Sequence, residues 1–173
     1  MNMKKFLILA LAVVMAGSLA ACGMGDVGGA QSAPSASSQA AVSSAVGSDN
    51  VEDSLAGLEK YLSSNSVISG TPTEMKADFI GAKKGAKYQF GFNGKDNVTV
   101  ELYEFDTGSL SSKASTVLDE VKAKNQFTIM NQTVPAVISD SGKYIMIYKD
   151  TSGSDENKQH QEDVIKLFKA FKK

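Results

Sequence analysis

The chain has 173 residues, with 18 lysines, 19 acidic residues, one histidine, one cysteine, no arginine and no tryptophan. A formal net charge of −1 without a single guanidinium argues against nucleic-acid binding, which rests on basic surface and favours Arg for phosphate and base contacts. One cysteine excludes an internal disulfide, and one histidine with no second thiol excludes a zinc site, which needs three or four such ligands.

The N-terminal twenty-odd residues have the three parts of an export signal. Lys4 and Lys5 form a positive start, Phe6 to Met15 an uncharged apolar run, and Ala16 to Ala21 a mostly small segment suited to a peptidase. The apolar run is short for a retained span, which takes about 20 residues. Leu19-Ala20-Ala21-Cys22 closes it, and this tetrapeptide resembles the lipobox of bacterial lipoproteins. The resemblance implies transfer of diacylglycerol to the Cys22 thiol, cleavage between Ala21 and Cys22, and in many bacteria acylation of the new amine. The thiol is the group that forms a stable thioether, and small neighbours let an extended backbone enter both enzymes. Two or three acyl chains hold a protein firmly where one holds it marginally. The expected location is the outer side of the cell membrane, with the lipid bilayer as first partner.

Removing residues 1–21 leaves 16 lysines against 19 acids, a formal charge of −3. Residues 22–50 are mostly Ser, Ala and Gly and carry no aromatic side chain, so they bury too little apolar area to fold. As a coil of about 28 residues the stretch has an r.m.s. span of roughly 30 Å, enough to tether a folded domain clear of a lipid surface. Residues 51–173 suit one small domain.

Within that domain Asn50 is placed to cap a first helix, with Val51, Leu55, Leu58 and Leu62 on one stripe. Thr71-Pro72-Thr73-Glu74 reads as a capping box with proline at the first helical position, predicting a short second helix from Pro72 to Ala82. Gly81 to Lys87 reads as a helix end and basic connector. It has three residues between its glycines where a phosphate loop has four. Lys87 to Phe92 and Asn97 to Phe105 read as strands about an Asn93-Gly94 hairpin turn. A third helix is predicted over Ser109 to Lys124. Three short strands come next, at Phe127 to Met130, Thr133 to Ser139 and Lys143 to Lys149. Pro135 places the middle one at an edge or bulge, and the unbroken apolar run Tyr144 to Tyr148 marks a central strand covered on both faces. Ser154 caps a terminal helix striped by Val164, Leu167, Phe168 and Phe171. The sum is an α+β domain: a mainly antiparallel sheet of about five strands, with helices expected on one face.

Gly81-Ala82-Lys83-Lys84-Gly85 and Val100-Glu101-Leu102-Tyr103-Glu104-Phe105 resemble segments of small lipoproteins from Gram-positive anaerobes, a resemblance that implies no activity and no site residue. The chemistry-bearing groups are few. His160 lies among polar residues and reads as a solvated helix residue. It has no Gly-x-Ser-x-Gly elbow to serve. The oxygens of Asp150 to Glu156 fit a solvated loop capping the last helix better than a calcium loop, whose glycine would sit elsewhere. Glu101, Glu104 and Asp106 are the nearest approach to a carboxylate pair for acid–base work. Most of the aromatic rings read as core, but Tyr88, Tyr103, Tyr144 and Tyr148 are candidates for a binding face if the sheet side away from the helices is open. No catalytic residue, metal or cofactor is expected. The expected role is a membrane-anchored, non-catalytic binding or protein-interaction module of the cell envelope. The alternatives are a small envelope hydrolase using strand carboxylates and an accessory subunit of a transport system. An importer's own substrate-binding component is normally two-lobed, which 123 residues are too few to build.

Overall fold

A computed structural model describes residues 45–173. The predicted signal, Cys22 and most of the predicted tether therefore lie outside the described residues. The domain begins earlier than position 51. The Val46 side chain packs on the core, its carbonyl accepts a 2.9 Å hydrogen bond from the Asn65 amide, and a 3-10 turn spans Ser48–Asn50.

Helix α1 (Leu55–Ser64) starts five residues after the predicted cap, Asn50. Ser54 caps it, its Oγ accepting the Gly57 N–H at 3.1 Å. The preceding chain folds back so tightly that a Cβ on Gly57 would stand 1.9 Å from the Glu52 carbonyl oxygen. A helix running on from Asn50 would unmake that turn. Leu55, Leu58 and Leu62 keep their stripe and are buried.

The predicted second helix does not form. Thr73–Met75 is strand β1, followed by a 3-10 turn at Asp78–Ile80 that Gly81 ends at φ +76°. A capping box opens a helix only where an apolar 3.6 period follows it, and isolated short helices are unstable. Here Thr73 to Met75 find their hydrogen bonds across the sheet instead, paired with Lys87 to Gly85. The connector read at Gly81 to Lys87 accordingly enters strand β2 (Lys84–Phe90).

Strand β2 pairs antiparallel with β3 (Val98–Glu104) in the register Phe90↔Val98 to Lys84↔Glu104. The loop between them is longer than the Asn-Gly signal predicts. Asn97 is the reason: its Oδ1 accepts the Phe92 N–H and its Nδ2 donates to the Phe92 carbonyl, both at 3.0 Å. One side chain thus stands in for a rung of the ladder. Helix α2 (Ser112–Lys124) comes next, capped by Ser111 and ended by left-handed Asn125. Strands β4 (Gln126–Ile129) and β5 (Gln132–Pro135) form a separate two-stranded sheet, turning through Met130 and Asn131 at positive φ. Strands β6 (Val137–Ile138) and β7 (Tyr144–Asp150) and helix α3 (Asp155–Ala170), capped by Ser154, complete the chain.

The fold is α+β, with three helices and a five-stranded antiparallel sheet ordered β1-β2-β3-β7-β6. The central position of β7 agrees with its apolar run. Its alternation sends Tyr144 and Met146 to one face and Ile145 and Ile147 to the other, so both faces need cover. On the first, α1, α3 and Phe171 pack over Tyr88, Phe90, Val98, Val100 and Leu102. On the second, α2, Ile80 and Phe127 of β4 pack over Tyr103, Phe105, Ile145 and Ile147. The expectation that the helices share one face is thus corrected: α2 lies on the opposite side. Side chains such as Leu102, Tyr144 and Phe168 at 0% exposure each contribute about 1.5–3 kcal/mol of burial.

Candidate functional site

The four tyrosines read as a possible binding face do not form one. Tyr88, Tyr144 and Tyr148 point to the α1/α3 side and Tyr103 to the α2 side. Tyr88, Tyr103 and Tyr144 are buried, and Tyr148 is half-buried. Their hydroxyls serve internal bonds: Tyr88 to Glu59, Tyr103 to Glu101 and Tyr144 to Asp53. The sheet surface left open is polar instead. Lys87 stands opposite Glu101, and Gln89, Thr99 and Lys149 run beside them. Rings that could have lined it are needed in two cores, so little aromatic surface remains.

The carboxylates also separate. Alternation along β3 puts Glu101 on the α2 side and Glu104 on the α1 side, buried, while Asp106 is an exposed loop residue. Glu104 has a structural task. Its Oε2 accepts the N–H of Leu55, first residue of α1, at 2.9 Å, and Oε1 lies 3.5 Å from the Lys143 ammonium. Lys143 also reaches Asp53 at 3.2 Å. Burial pushes the Asp53 carboxyl up, but bonds from Tyr144 and Lys143 and the charges of Lys143 and Lys172 outweigh it and hold that carboxyl below its ordinary range. This cluster ties the start of α1 to β7.

The residue that departs most from its sequence reading is His160. It is 9% exposed, not solvated. Its ring stacks on Phe92 at 3.9 Å between centroids, meets Phe90 edge-on at 6.2 Å, and shares a 3.0 Å hydrogen bond between Nδ1 and the Tyr148 hydroxyl. Burial lowers its pKa below the ordinary histidine value, against the opposing charges of Asp150 and Asp163, so the ring is neutral at pH 7. Burial and the Asp150 charge push the Tyr148 phenol up to about 12, so it keeps its proton. Either the phenol or Nδ1 can donate in this bond, and the ring hydrogen sits on Nε2 when the phenol donates and on Nδ1 when the ring does. Nε2 bonds no described protein group, and no buried side-chain nitrogen among the described residues lacks a partner, so solvent reaches it.

Phe92 is held for this contact by a polar frame. Asn157 and Asn97 both donate to its carbonyl, at 2.9 and 3.0 Å, and both also donate to Asp150, at 2.7 and 2.8 Å. The Ser152 N–H reaches the same Asp150 Oδ1 at 2.8 Å, and Ser154, the α3 cap, bonds Asn157. Burial raises the Asp150 pKa, but the bonds from Asn157, Ser152 and Asn97 dominate and keep it below the ordinary carboxylate value. Such networks are costly when half satisfied and stiff when complete. This one is complete, and it fixes the β2–β3 turn against the first turn of α3.

Phe92 and His160 line an open groove of about 550 Å³, rimmed by Asp155, Glu156, Gln159 and Asp163. Stacked rings and three carboxylates offer contacts to a cationic group with an apolar body. A second groove of about 300 Å³ runs between α1 and the β1–β2 edge, floored by Leu55 and Ala86 and rimmed by Glu59, Glu74 and Lys84. Behind it the Leu55 N–H donates to buried Glu104, and on its rim Glu59 accepts the Tyr88 hydroxyl. Among the described residues no three His, Cys, Asp or Glu side chains come together as metal ligands, and no helix there is long and apolar enough to cross a membrane. No known protein family, curated protein or solved structure matches this chain.

Sequence reasoning anticipated the Ser154 cap and the Asp150 to Glu156 loop before the last helix, but missed the parts played by Phe92, Asn97 and Asn157. The available signal was a third aromatic ring in the Tyr88, Phe90, Phe92 alternation, beside an Asn-Gly turn, with a histidine six residues beyond that cap.

The state of His160 has a measurable consequence. Its folded pKa lies below its unfolded value near 6.5, so the unfolded chain takes up the proton first as pH falls. His160 therefore lowers stability progressively as pH drops through about 6.5 toward the folded pKa, and has no such effect above it. The Tm of a His160→Gln variant should fall less between pH 7 and pH 5 than that of the parent chain. Parallel curves would show that His160 is equally easy to protonate in both states.

Proposed function

We propose that this chain is a lipid-anchored, extracytoplasmic, non-catalytic binding module of the cell envelope. The observation that carries the reading is Leu19-Ala20-Ala21-Cys22 at the end of a charged and then apolar leader. The Ser/Ala/Gly stretch after Cys22 supports it by giving the folded domain reach from a lipid surface. The bilayer is held through acylated Cys22, and the groove at Phe92 and His160 is the surface offered to an envelope ligand. A carboxylate-pair hydrolase is the weaker reading, since Glu101 and Glu104 stand on opposite faces of the sheet.

The test is photo-crosslinking of the full-length chain, anchored in its own membranes, from a probe in the groove rim, compared with Phe92→Ser. The frame grips Phe92 through backbone atoms, so that variant keeps its hydrogen bonds and its fold can be checked by circular dichroism. The expected result is a crosslinked species several-fold weaker in the variant. Identical crosslinks from both chains would remove the groove from the proposal.

A further inference from the structure

We infer that Asn93 is a modification site, deamidating spontaneously through a succinimide formed with Gly94. It is the one asparagine in the chain followed by glycine. In this chemistry the Gly94 amide nitrogen loses its proton and attacks the Asn93 side-chain carbonyl carbon. A C–N bond closes a five-membered ring, the bond to Nδ2 breaks, and ammonia leaves. Water then opens the ring at either carbonyl, giving aspartate or isoaspartate at position 93. Nothing is oxidised or reduced, and water is the only co-reactant.

The structure leaves every participating group free. Asn93 and Gly94 are exposed, and neither the Gly94 N–H nor the Asn93 side-chain amide bonds any described residue. Gly94 presents no Cβ to hinder attack on its neighbour. The other asparagines differ on at least one count. The side-chain amide of Asn65 donates to the Val46 and Tyr61 carbonyls, and those of Asn97 and Asn157 are tied to Phe92 and Asp150. Asn125 and Asn131 share the positive φ of Asn93 but precede glutamine, whose side chain crowds the attacking nitrogen. The bonds that hold Phe92 and Asn97 flank the turn, so the ring can form and open while the ladder from Phe90↔Val98 onward stays paired. The product places a new negative charge, and in the isoaspartyl form an extra main-chain methylene, next to Phe92.

The experiment incubates the folded full-length chain in buffers from neutral to mildly alkaline pH. Peptide mass spectrometry and methyl labelling by an isoaspartyl methyltransferase then track each asparagine. The expected result is exchange of amide for acid at position 93 ahead of every other asparagine, faster at higher pH, with the methyl label lost in Asn93→Gln. Two results would overturn the inference. One is an intact Asn93 in the folded chain while the excised peptide of the same sequence deamidates. The other is undiminished labelling in Asn93→Gln.

Discussion

Replacing Cys22 by alanine should abolish lipid labelling of this protein completely. Cells fed an alkyne-tagged fatty acid should yield a labelled parent chain that partitions into detergent, and an unlabelled Cys22→Ala chain. The size of the effect comes from the chemistry: each buried methylene adds about 0.8 kcal/mol to membrane association, and two acyl chains bury dozens of them. No other cysteine can accept the lipid in its place. Label retained in the variant, or a free thiol on residue 22 of the mature parent, would end the proposal of a lipid anchor. The domain's partner would then have to be sought in another compartment.

The second large effect concerns stability. Glu104→Ala should destabilise the domain by about 2–3 kcal/mol, because a buried N–H loses a charged acceptor and the Lys143 ammonium loses one of its two carboxylates. For a domain of this size that corresponds to a Tm lower by about 6–15 °C. Asp106→Ala, which removes an exposed carboxylate accepting only the Gly108 N–H, should change stability by about 0.5 kcal/mol or less. Denaturant unfolding of both variants decides the matter. Equal losses would mean that Glu104 does not anchor α1. The comparison also distinguishes a structural carboxylate from a catalytic one, since a residue held for chemistry is commonly removed without loss of stability.

The pairing of Glu104 with α1 shows where a linear reading fails. Alternation along β3 is legible in Val98, Val100 and Leu102, but Tyr103 and Phe105 make it read as slipping after Leu102, as at a bulge. The register in fact runs unbroken to Glu104 and puts it on the face of Leu102. Alternation could not reveal that a helix 49 residues earlier in the chain would bring an unpaired N–H to that carboxylate. His160 failed for a similar reason. Polar neighbours along the helix suggested solvent, whereas a helix turns residues of one short segment in different directions. The partners that bury His160 come from the β2–β3 turn and from β7. The Thr71-Pro72-Thr73-Glu74 signal was sound as local chemistry, but a three-residue rung against β2 satisfied the same backbone groups better.

The sequence by itself determined what depends on neighbours along the chain: a lone thiol at Cys22, the apolar stripes of α1, α2 and α3, the cap at Ser154 that opens the last of them, and an apolar run fit only for a central strand. Tertiary structure decided which face each helix covers, where the tyrosines and carboxylates point, and that Phe92 and His160 meet at the surface. Period and capping act over a few residues and are written locally. Burial and hydrogen-bond partnership depend on segments dozens of residues apart, and the fold alone brings those together.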